Sequence, residues 1–113
     1  MKQNVFFDYV YINDFIKIID YFINHKTNFK FYNIGSGRRI DLLTITEIIN
    51  NILERKSRME VKKKGLNNEY SCNNNRLMSE LSASFKFTPL RDSVKALLNY
   101  YMDIKKIIKK NSI

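Results

Sequence analysis

The sequence of 113 residues contains one cysteine, one histidine, one proline, three glycines and no tryptophan. Because Cys72 has no second cysteine to pair with, an internal disulfide bond is excluded. Cys72 and His25 together also fall short of the ligand set that a structural zinc ion or an iron–sulfur cluster requires. We therefore expect a protein of a reduced, cytoplasmic setting, in which Cys72 is a partly buried thiol without a catalytic function.

Long hydrophobic runs are also missing from the sequence. No apolar stretch approaches the roughly 18 residues that are needed to span a bilayer, and the first residues, MKQNVFFDYVY, lack the hydrophobic region and cleavage site of a signal peptide. The hydrophobic content of 44% and the aromatic content of 13% are nevertheless sufficient for a packed core. These observations predict one folded domain over residues 1–113 and no membrane partner.

The net charge of +9 is confined to the second half of the sequence. Residues 1–54 contain six basic and six acidic side chains, whereas residues 55–113 contain 14 basic and five acidic ones. A non-enzymatic basic module that binds nucleic acid or an anionic surface through residues 55–110 is therefore an alternative function. Lys, Asn and Ile supply 43 of the residues, a bias typical of an AT-rich coding sequence, so we do not expect nucleic acid to be the main partner.

Apolar residues three and four apart predict four helices. They are expected over residues 14–24, 42–55, a short segment through Leu77, Met78 and Leu81, and 91–109. Side-chain oxygens that accept hydrogen bonds from free N–H groups are expected to begin the first three helices. The predicted capping residues are Asn13 or Asp14, then Asp41, then Asn74 or Asn75.

Aromatic and β-branched residues with a period of two predict extended segments. Strands are expected over residues 5–12, 29–34 and 59–64, with a further short strand around Tyr70. The second strand leads into the GSG turn, and the third is expected to stop at Gly65 because glycine marks turns.

The stretch YNIGSGRR, residues 32–39, is the local pattern that most suggests a ligand. Two glycines and a serine after a strand bring backbone N–H groups close to a phosphate in some proteins. Here Asp41 follows at the start of a helix, where its carboxylate would satisfy the free N–H groups and repel a phosphate. The pattern therefore favours a tight turn between a strand and a helix over a phosphate-binding loop.

Lys62, Lys63 and Lys64 form the densest internal basic cluster. Alternation would direct Lys62 and Lys64 to the same face, where they would meet a diphosphate as point charges. A solvated strand edge that lysines protect from aggregation is the alternative interpretation. Tyr101 and Lys105 match the Y-x-x-x-K pattern of short-chain dehydrogenases, but Tyr101 falls on the apolar stripe of the last helix, so we assign no catalytic role to this pair.

Several motifs follow one another at characteristic spacing. They are DYVYINDF at 8–15, NIGSG at 33–37, NNRLMSEL at 74–81, FKFTPL at 85–90 and YY at 100–101. In this order they resemble the C-terminal portion of the NAD-dependent epimerase/dehydratase family, the extended short-chain dehydrogenase/reductases that act on nucleotide-diphosphate sugars. The resemblance covers about residues 5–103.

The resemblance implies an α/β fold of mixed α+β type, with the last Rossmann elements joined to a small substrate-binding lobe of about four helices and a few short strands. It also implies a nucleotide-diphosphate sugar as ligand, and NAD(P) as the cofactor of the intact family. The family's glycine-rich cofactor loop, catalytic Ser/Thr and upstream Y-x-x-x-K are missing from this sequence. We therefore expect that this chain alone binds no NAD(P) and supplies no catalytic residue.

The candidate substrate-binding residues come from the same resemblance. Tyr9 matches the strand that borders the sugar-nucleotide site. The arginine that often precedes the aspartate of this motif is Phe7 here, and the family's R-x-G-D is replaced by KKGLNNEY. The substitutes predicted to bind a diphosphate are Lys63 or Lys64 and the amides of Asn67 or Asn68.

These inferences predict the substrate-lobe part of a longer enzyme, from a surface-polysaccharide pathway. Such a lobe would pair with a missing N-terminal Rossmann half or with itself, because apolar surface on helix 14–24 and strand 29–34 would otherwise face water. A folded but inactive protein without a ligand is the third hypothesis.

Overall fold

The computed structural model describes residues 1–54 and 56–111, and within them the chain is a mixed α+β protein with four helices and a few short strands. This confirms the predicted fold class. The helices are α1 (Ile12–Asn24), α2 (Leu42–Leu53), α3 (Asn75–Glu80) and α4 (Leu90–Asn111). The predicted end of the second helix at Arg55 lies outside the described residues.

The strands form two small sheets. They are β1 (Gln3–Asn4), β2 (Phe6–Phe7), β3 (Ile40–Asp41) and β4 (Lys63–Leu66). Strand β1 runs parallel to β4, with Gln3 opposite Lys63, and β2 runs antiparallel to β3, with Phe7 opposite Ile40. A further parallel bridge joins Phe7 to Tyr70, which agrees with the predicted short strand around Tyr70.

Two of the predicted strands differ from the structure. Within the predicted strand 5–12, only Phe6 and Phe7 are paired, and the chain then turns into α1. Residues 29–34 pair with no strand of the described chain, although strand formation was predicted for them. A strand requires a neighbouring strand for its backbone groups, and here side chains take that place, because Arg76 donates a hydrogen bond to the Phe31 carbonyl.

The prediction for residues 59–64 was wrong in position. Strand β4 begins four residues later and contains Gly65, which was expected to end it. Gly65 adopts a positive φ of 81°, and the pairing of β4 with β1 shifts register between Gln3 and Asn4. Because glycine tolerates this conformation, the chain makes a local irregularity there and continues the pairing.

The predicted start of α1 also needs correction, because Tyr11 occupies the N-cap position and Asn13 and Asp14 lie inside the helix. Asp41 and Asn74 hold the predicted N-cap positions of α2 and α3, but neither side chain makes the predicted capping hydrogen bond. The side chain that serves α2 is however Asn4, whose Oδ1 accepts hydrogen bonds from the N–H groups of the first two helical residues at 3.1 and 3.4 Å. Asn4 therefore satisfies N–H groups that a helix start leaves free.

The core is small and lies between α1 and α3. Its buried members are Ile18, Leu77 and Leu81. Partly buried side chains pack around them, most of them aromatic: Tyr21, Phe22, Tyr32, Ile34, Phe85 and Phe87. The opposite side of α1 faces solvent with large apolar side chains: Ile12, Phe15, Ile16, Ile19 and Ile23.

The chain is also unusually open for its size. It exposes 9110 Å², whereas a folded chain of 13.5 kDa exposes about 6,500 Å². The radius of gyration is 17.5 Å, against about 13 Å for a compact chain of this length. The surplus of about 2,600 Å² is as large as the surface that stable protein–protein interfaces remove from water.

Candidate functional site

The GSG turn is organised by Asp8. Its Oδ1 accepts hydrogen bonds from the Ser36 N–H and hydroxyl at 2.8 and 2.6 Å, and its Oδ2 accepts one from the Gly37 N–H at 2.9 Å. Gly37 has a φ of 77°, which glycine adopts without strain. The two N–H groups that a phosphate would use are therefore already bound by a carboxylate, and the interpretation as a structural turn is supported.

Gly35 and Cys72 pack closely behind this turn. A Cβ atom at Gly35 would overlap the Cys72 Sγ and the Asp8 Oδ2. Only glycine leaves room for both atoms, which explains the first glycine of the turn. Cys72 is half-buried in this packing, whereas the His25 ring stacks on Tyr21 and hydrogen-bonds its carbonyl. The partial burial of Cys72 confirms the prediction that it is a partly buried thiol.

A second carboxylate, Asp14, joins the start of α1 to the FKFTPL turn. Asp14 is 1% exposed, and it accepts hydrogen bonds from the Thr88 N–H at 2.9 Å and the Thr88 hydroxyl at 2.7 Å. The Thr88 carbonyl in turn accepts one from Arg38 Nη1 at 3.0 Å. These contacts connect the DYVYINDF and FKFTPL motifs with the residue that directly follows NIGSG.

The fourth motif, in α3, is tied to the same scaffold. Asn74 Nδ2 donates a hydrogen bond to the Gly35 carbonyl at 3.0 Å. Glu80 Oε2 accepts hydrogen bonds from the Asn28 N–H and from the Tyr32 hydroxyl. Desolvation acts to raise the pKa of Glu80, but these hydrogen bonds from Asn28 and Tyr32 together hold it below its ordinary value.

Tyr9, the first candidate substrate residue, lines an apolar cleft of about 330 Å³. The cleft lies between the segment before α1, the side of α2 at Ile45 and the first turns of α4. Burial raises the pKa of Tyr9, and the negative charge of Asp41 raises it further. The phenol therefore stays neutral at physiological pH and is suited to hydrogen bonding and to apolar contact.

The other four candidates lie elsewhere on the surface. The described lining of the Tyr9 cleft includes none of Lys63, Lys64, Asn67 and Asn68. The two lysines are exposed on β4, and Gln3 Nε2 donates a hydrogen bond to the Lys64 carbonyl at 3.0 Å. The Asn67 N–H donates to the Asn4 carbonyl at 2.8 Å, and the Asn68 N–H donates to Asn67 Oδ1. Both backbone amides are thus engaged within the chain, which leaves the side-chain amides to reach a ligand.

Tyr70 and Arg39 are additional site candidates that were not among the predicted substrate-binding residues. Tyr70 is exposed and stacks on Phe7 with ring centroids 5.3 Å apart, and Phe7 in turn contacts the edge of Tyr9. Arg39 forms an ion pair with Glu69 and lies over the Phe6 ring. Tyr70 reaches Phe7 and Arg39 reaches Phe6 across 63 and 33 positions of sequence, so no local pattern could have found these contacts.

Other chemistry is not evident in the described residues. Residues 1–54 and 56–111 contain no cluster of His, Cys, Asp and Glu that could hold a metal ion. Tyr101 is exposed on α4 and contacts the ring of Tyr100.

A second cavity of about 430 Å³ opens next to the unpaired segment 29–34 and is lined by Phe31, Asn33 and Arg76 among others. We prefer the Tyr9 cleft as the candidate site because Tyr9 contacts Phe7, and Phe7 stacks on Tyr70.

Comparisons of the chain with protein-family models, with curated proteins and with solved structures give no match. Within residues 1–54 and 56–111, no helix combines the length and apolar character that crossing a bilayer requires.

Proposed function

We propose that the chain is the substrate-lobe portion of an NAD(P)-dependent nucleotide-sugar epimerase, dehydratase or reductase, and that it is inactive alone. The ligand class is a nucleotide-diphosphate sugar. A role in surface-polysaccharide synthesis in the cytoplasm follows from the same resemblance.

The observation that carries this proposal is the joining of separate motifs into one scaffold. Asp8 binds the GSG turn and Asp14 binds Thr88 of FKFTPL, across 28 and 74 residues of sequence. Asn74 of the NNRLMSEL motif binds Gly35. Motifs that resemble one family in sequence also contact one another in space, which supports their origin in one common fold.

The candidate ligand surface consists of an aromatic part and a cationic part. Tyr9 and Tyr70 flank Phe7 and offer ring faces and phenol groups to a base or a sugar. Lys63 and Lys64 extend from the exposed strand β4 as point charges for a diphosphate. The side chains of Asn67 and Asn68 follow directly in the chain and supply amide donors.

The residues present do not fit the dinucleotide cofactor of the family. The one glycine-containing turn after an extended segment has its N–H groups bound to Asp8, and this carboxylate would repel a pyrophosphate. No hydride-transfer step is therefore assigned to this chain, and NAD(P) binding belongs to a separate Rossmann half.

The open surface of the chain supports the requirement for such a half. The outward face of α1 and the unpaired segment 29–34 are apolar, and Phe31 is 80% exposed. An extended segment whose backbone groups lack a neighbouring strand accepts a strand from a partner chain readily. This face is where the missing half would pack.

The proposal is tested by titrating the ¹⁵N-labelled chain with UDP-, GDP- and dTDP-sugars and following backbone amide shifts by NMR. We expect one of them to shift the signals of Tyr9 and of residues 63–68. The Lys63→Ala/Lys64→Ala variant should bind about fivefold more weakly or worse, because two point charges are lost near a diphosphate. The Lys105→Ala/Lys106→Ala variant, with the same loss of charge on α4, should bind like the unmodified chain.

Three results would argue against the proposed function. Absence of shifts with all three nucleotide sugars at millimolar concentration would overturn the proposal. Micromolar binding of NADH, measured by fluorescence, would contradict the assignment of the cofactor to another half. Salt-sensitive binding of duplex DNA that the α4 lysine variant abolishes would favour the basic-module alternative.

A further inference from the structure

Helix α4 has an apolar stripe that continues past the region where the helix contacts the rest of the protein. Its 22 residues extend over about 33 Å. The first half of the stripe, at Leu90, Val94 and Leu97, lines the Tyr9 cleft. The second half, at Tyr101 and Ile108, has exposures of 60% and 62%. The stripe is therefore partly covered near its start by the rest of the protein, but Leu97 is already 46% exposed.

Over residues 94–111 the stripe is compatible with the heptad spacing of a coiled coil. If Val94 takes the a position of a heptad, the a and d positions are filled by Val94, Leu97, Tyr101, Ile104, Ile108 and Asn111. Tyr100 and Ile107 then fall on the adjacent g positions and widen the apolar surface. Val94 at a with Leu97 at d is the combination that favours pairing of two helices.

The contact with α2 leaves this surface open. Helix α2 approaches α4 through Ile52 and Leu53, which face Leu98 and Met102. Leu98 and Met102 occupy the e and b positions, on the other side of the helix from Tyr100 and Ile107. In the second half of α4, the apolar residues on the a and g positions, Tyr100, Tyr101, Ile107 and Ile108, are exposed, whereas Ile104 on a d position is half-buried.

The lysines of α4 are also placed away from this surface. Lys95, Lys106, Lys109 and Lys110 fall on b, c and f positions, and Lys106 lies 3.9 Å from Asp103. Only Lys105, on an e position, borders the stripe. In a parallel pair it would face Tyr100 or Ile107 of the other helix instead of a second lysine. Like charges therefore do not oppose the pairing of two copies along this stripe.

We propose that a second copy of this chain pairs along the a, d and g positions of α4 from residue 94 to residue 111. A stable interface removes about 800 Å² from each partner, and the surplus surface of the chain is about 2,600 Å² by the same area scaling. The surplus is thus large enough for this contact and for a second interface on the outward face of α1. The pairing surface shares Val94 and Leu97 with the lining of the Tyr9 cleft, but the inference does not depend on the identity of the ligand there.

Sedimentation equilibrium of the full chain at increasing concentrations tests the pairing. We expect a monomer–dimer equilibrium. The Tyr101→Lys/Ile108→Lys variant should raise the dissociation constant at least about a hundredfold, because it removes four apolar side chains from the dimer and sets lysines against one another. The matched control is Ile23→Lys, which makes the same change at a 75% exposed position of α1 and should dissociate like the unmodified chain. Circular dichroism verifies that each variant is folded.

Cross-linking gives a second readout that does not depend on disrupting the contact. In a Cys72→Ser background, Ile108→Cys should form an intermolecular disulfide with itself if the helices are parallel, or with Leu97→Cys if they are antiparallel. Ile23→Cys should form neither. A monomer at all concentrations, a dimer unaffected by the Tyr101 and Ile108 changes, or a dimer lost through Ile23→Lys would each overturn the proposal. Binding of the monomer to anionic vesicles through the same stripe would also overturn it.

Discussion

Asp14 and Thr88 are 74 positions apart and form a two-point contact, in which the Thr88 N–H and hydroxyl each donate to a different oxygen of the Asp14 carboxylate. The contact fixes the start of α1 against the turn that leads into α4. Because Asp14 is almost completely buried, removing either side of this contact leaves a buried polar group without a partner.

Asp14→Ala is expected to lower the free energy of unfolding by about 2–4 kcal/mol, since two hydrogen bonds to a charged group are lost and the Thr88 N–H keeps no acceptor. Urea denaturation followed by circular dichroism measures the change. Asp20→Ala, which alters an exposed aspartate of the same helix, should change it by less than about 0.5 kcal/mol. Equal losses in the two variants would contradict the role of the Asp14–Thr88 contact.

Asp8→Ala is expected to convert the GSG turn into a weak anion site. With the carboxylate removed, the Ser36 and Gly37 N–H groups lose their acceptor and become available to an anion. Titration with inorganic phosphate should then shift the NMR signals of these two amides in the variant and leave them unchanged in the original chain. Asp103→Ala, with the same change in net charge on α4, is the control. Phosphate shifts at Ser36 in the unmodified chain would disprove the blocking role of Asp8.

Asp41 is expected to make stability depend on pH in the acidic range. The hydrogen bond from the Asn4 side chain, followed by that from Thr44, holds the pKa of Asp41 below its ordinary value of 3.8, although burial acts against this. A lowered pKa in the folded state stabilises the protein above the unfolded pKa, and this contribution is lost as the pH falls through the folded pKa. The free energy of unfolding should therefore decrease below about pH 4.

The comparison of Asp41→Asn with Glu47→Gln isolates this effect. Asp41→Asn should flatten the dependence of the unfolding free energy between about pH 5 and pH 2, because the group that titrates is gone. Glu47 is exposed on the same helix, and Glu47→Gln should preserve the slope. An unchanged slope in Asp41→Asn would show that other carboxyl groups dominate in this range.

Much of the helical structure was predictable because it depends on local spacing. The apolar repeats predicted α2 from Leu42 and α4 from about residue 91, and both helices begin within one residue of these positions. The short helix α3 was predicted on the same basis, whereas the mixed α+β class was implied by the family resemblance. Hydrophobic periodicity acts over one or two turns, so a sequence window is sufficient to detect it.

The candidate site was only partly predictable. Tyr9 does border a cleft, but Lys63 and Lys64 reach their position through the pairing of β4 with β1, about 60 residues away. Tyr70 gains its place beside Phe7 in the same way. Contacts of this length depend on which segments meet, and single-sequence patterns contain little information about that.

The sequence by itself determined the position of the longer helices, the exclusion of disulfide and zinc chemistry, and the concentration of positive charge after residue 54. Tertiary structure decided the partners of the polar side chains: Asn4 instead of Asp41 binds the free N–H groups of α2, and Asp14 is a buried acceptor for Thr88 instead of a helix cap. Tertiary structure also left residues 29–34 unpaired. The physical reason is that helix formation uses hydrogen bonds within one segment, whereas strands and buried carboxylates need partners that only the folded chain brings near.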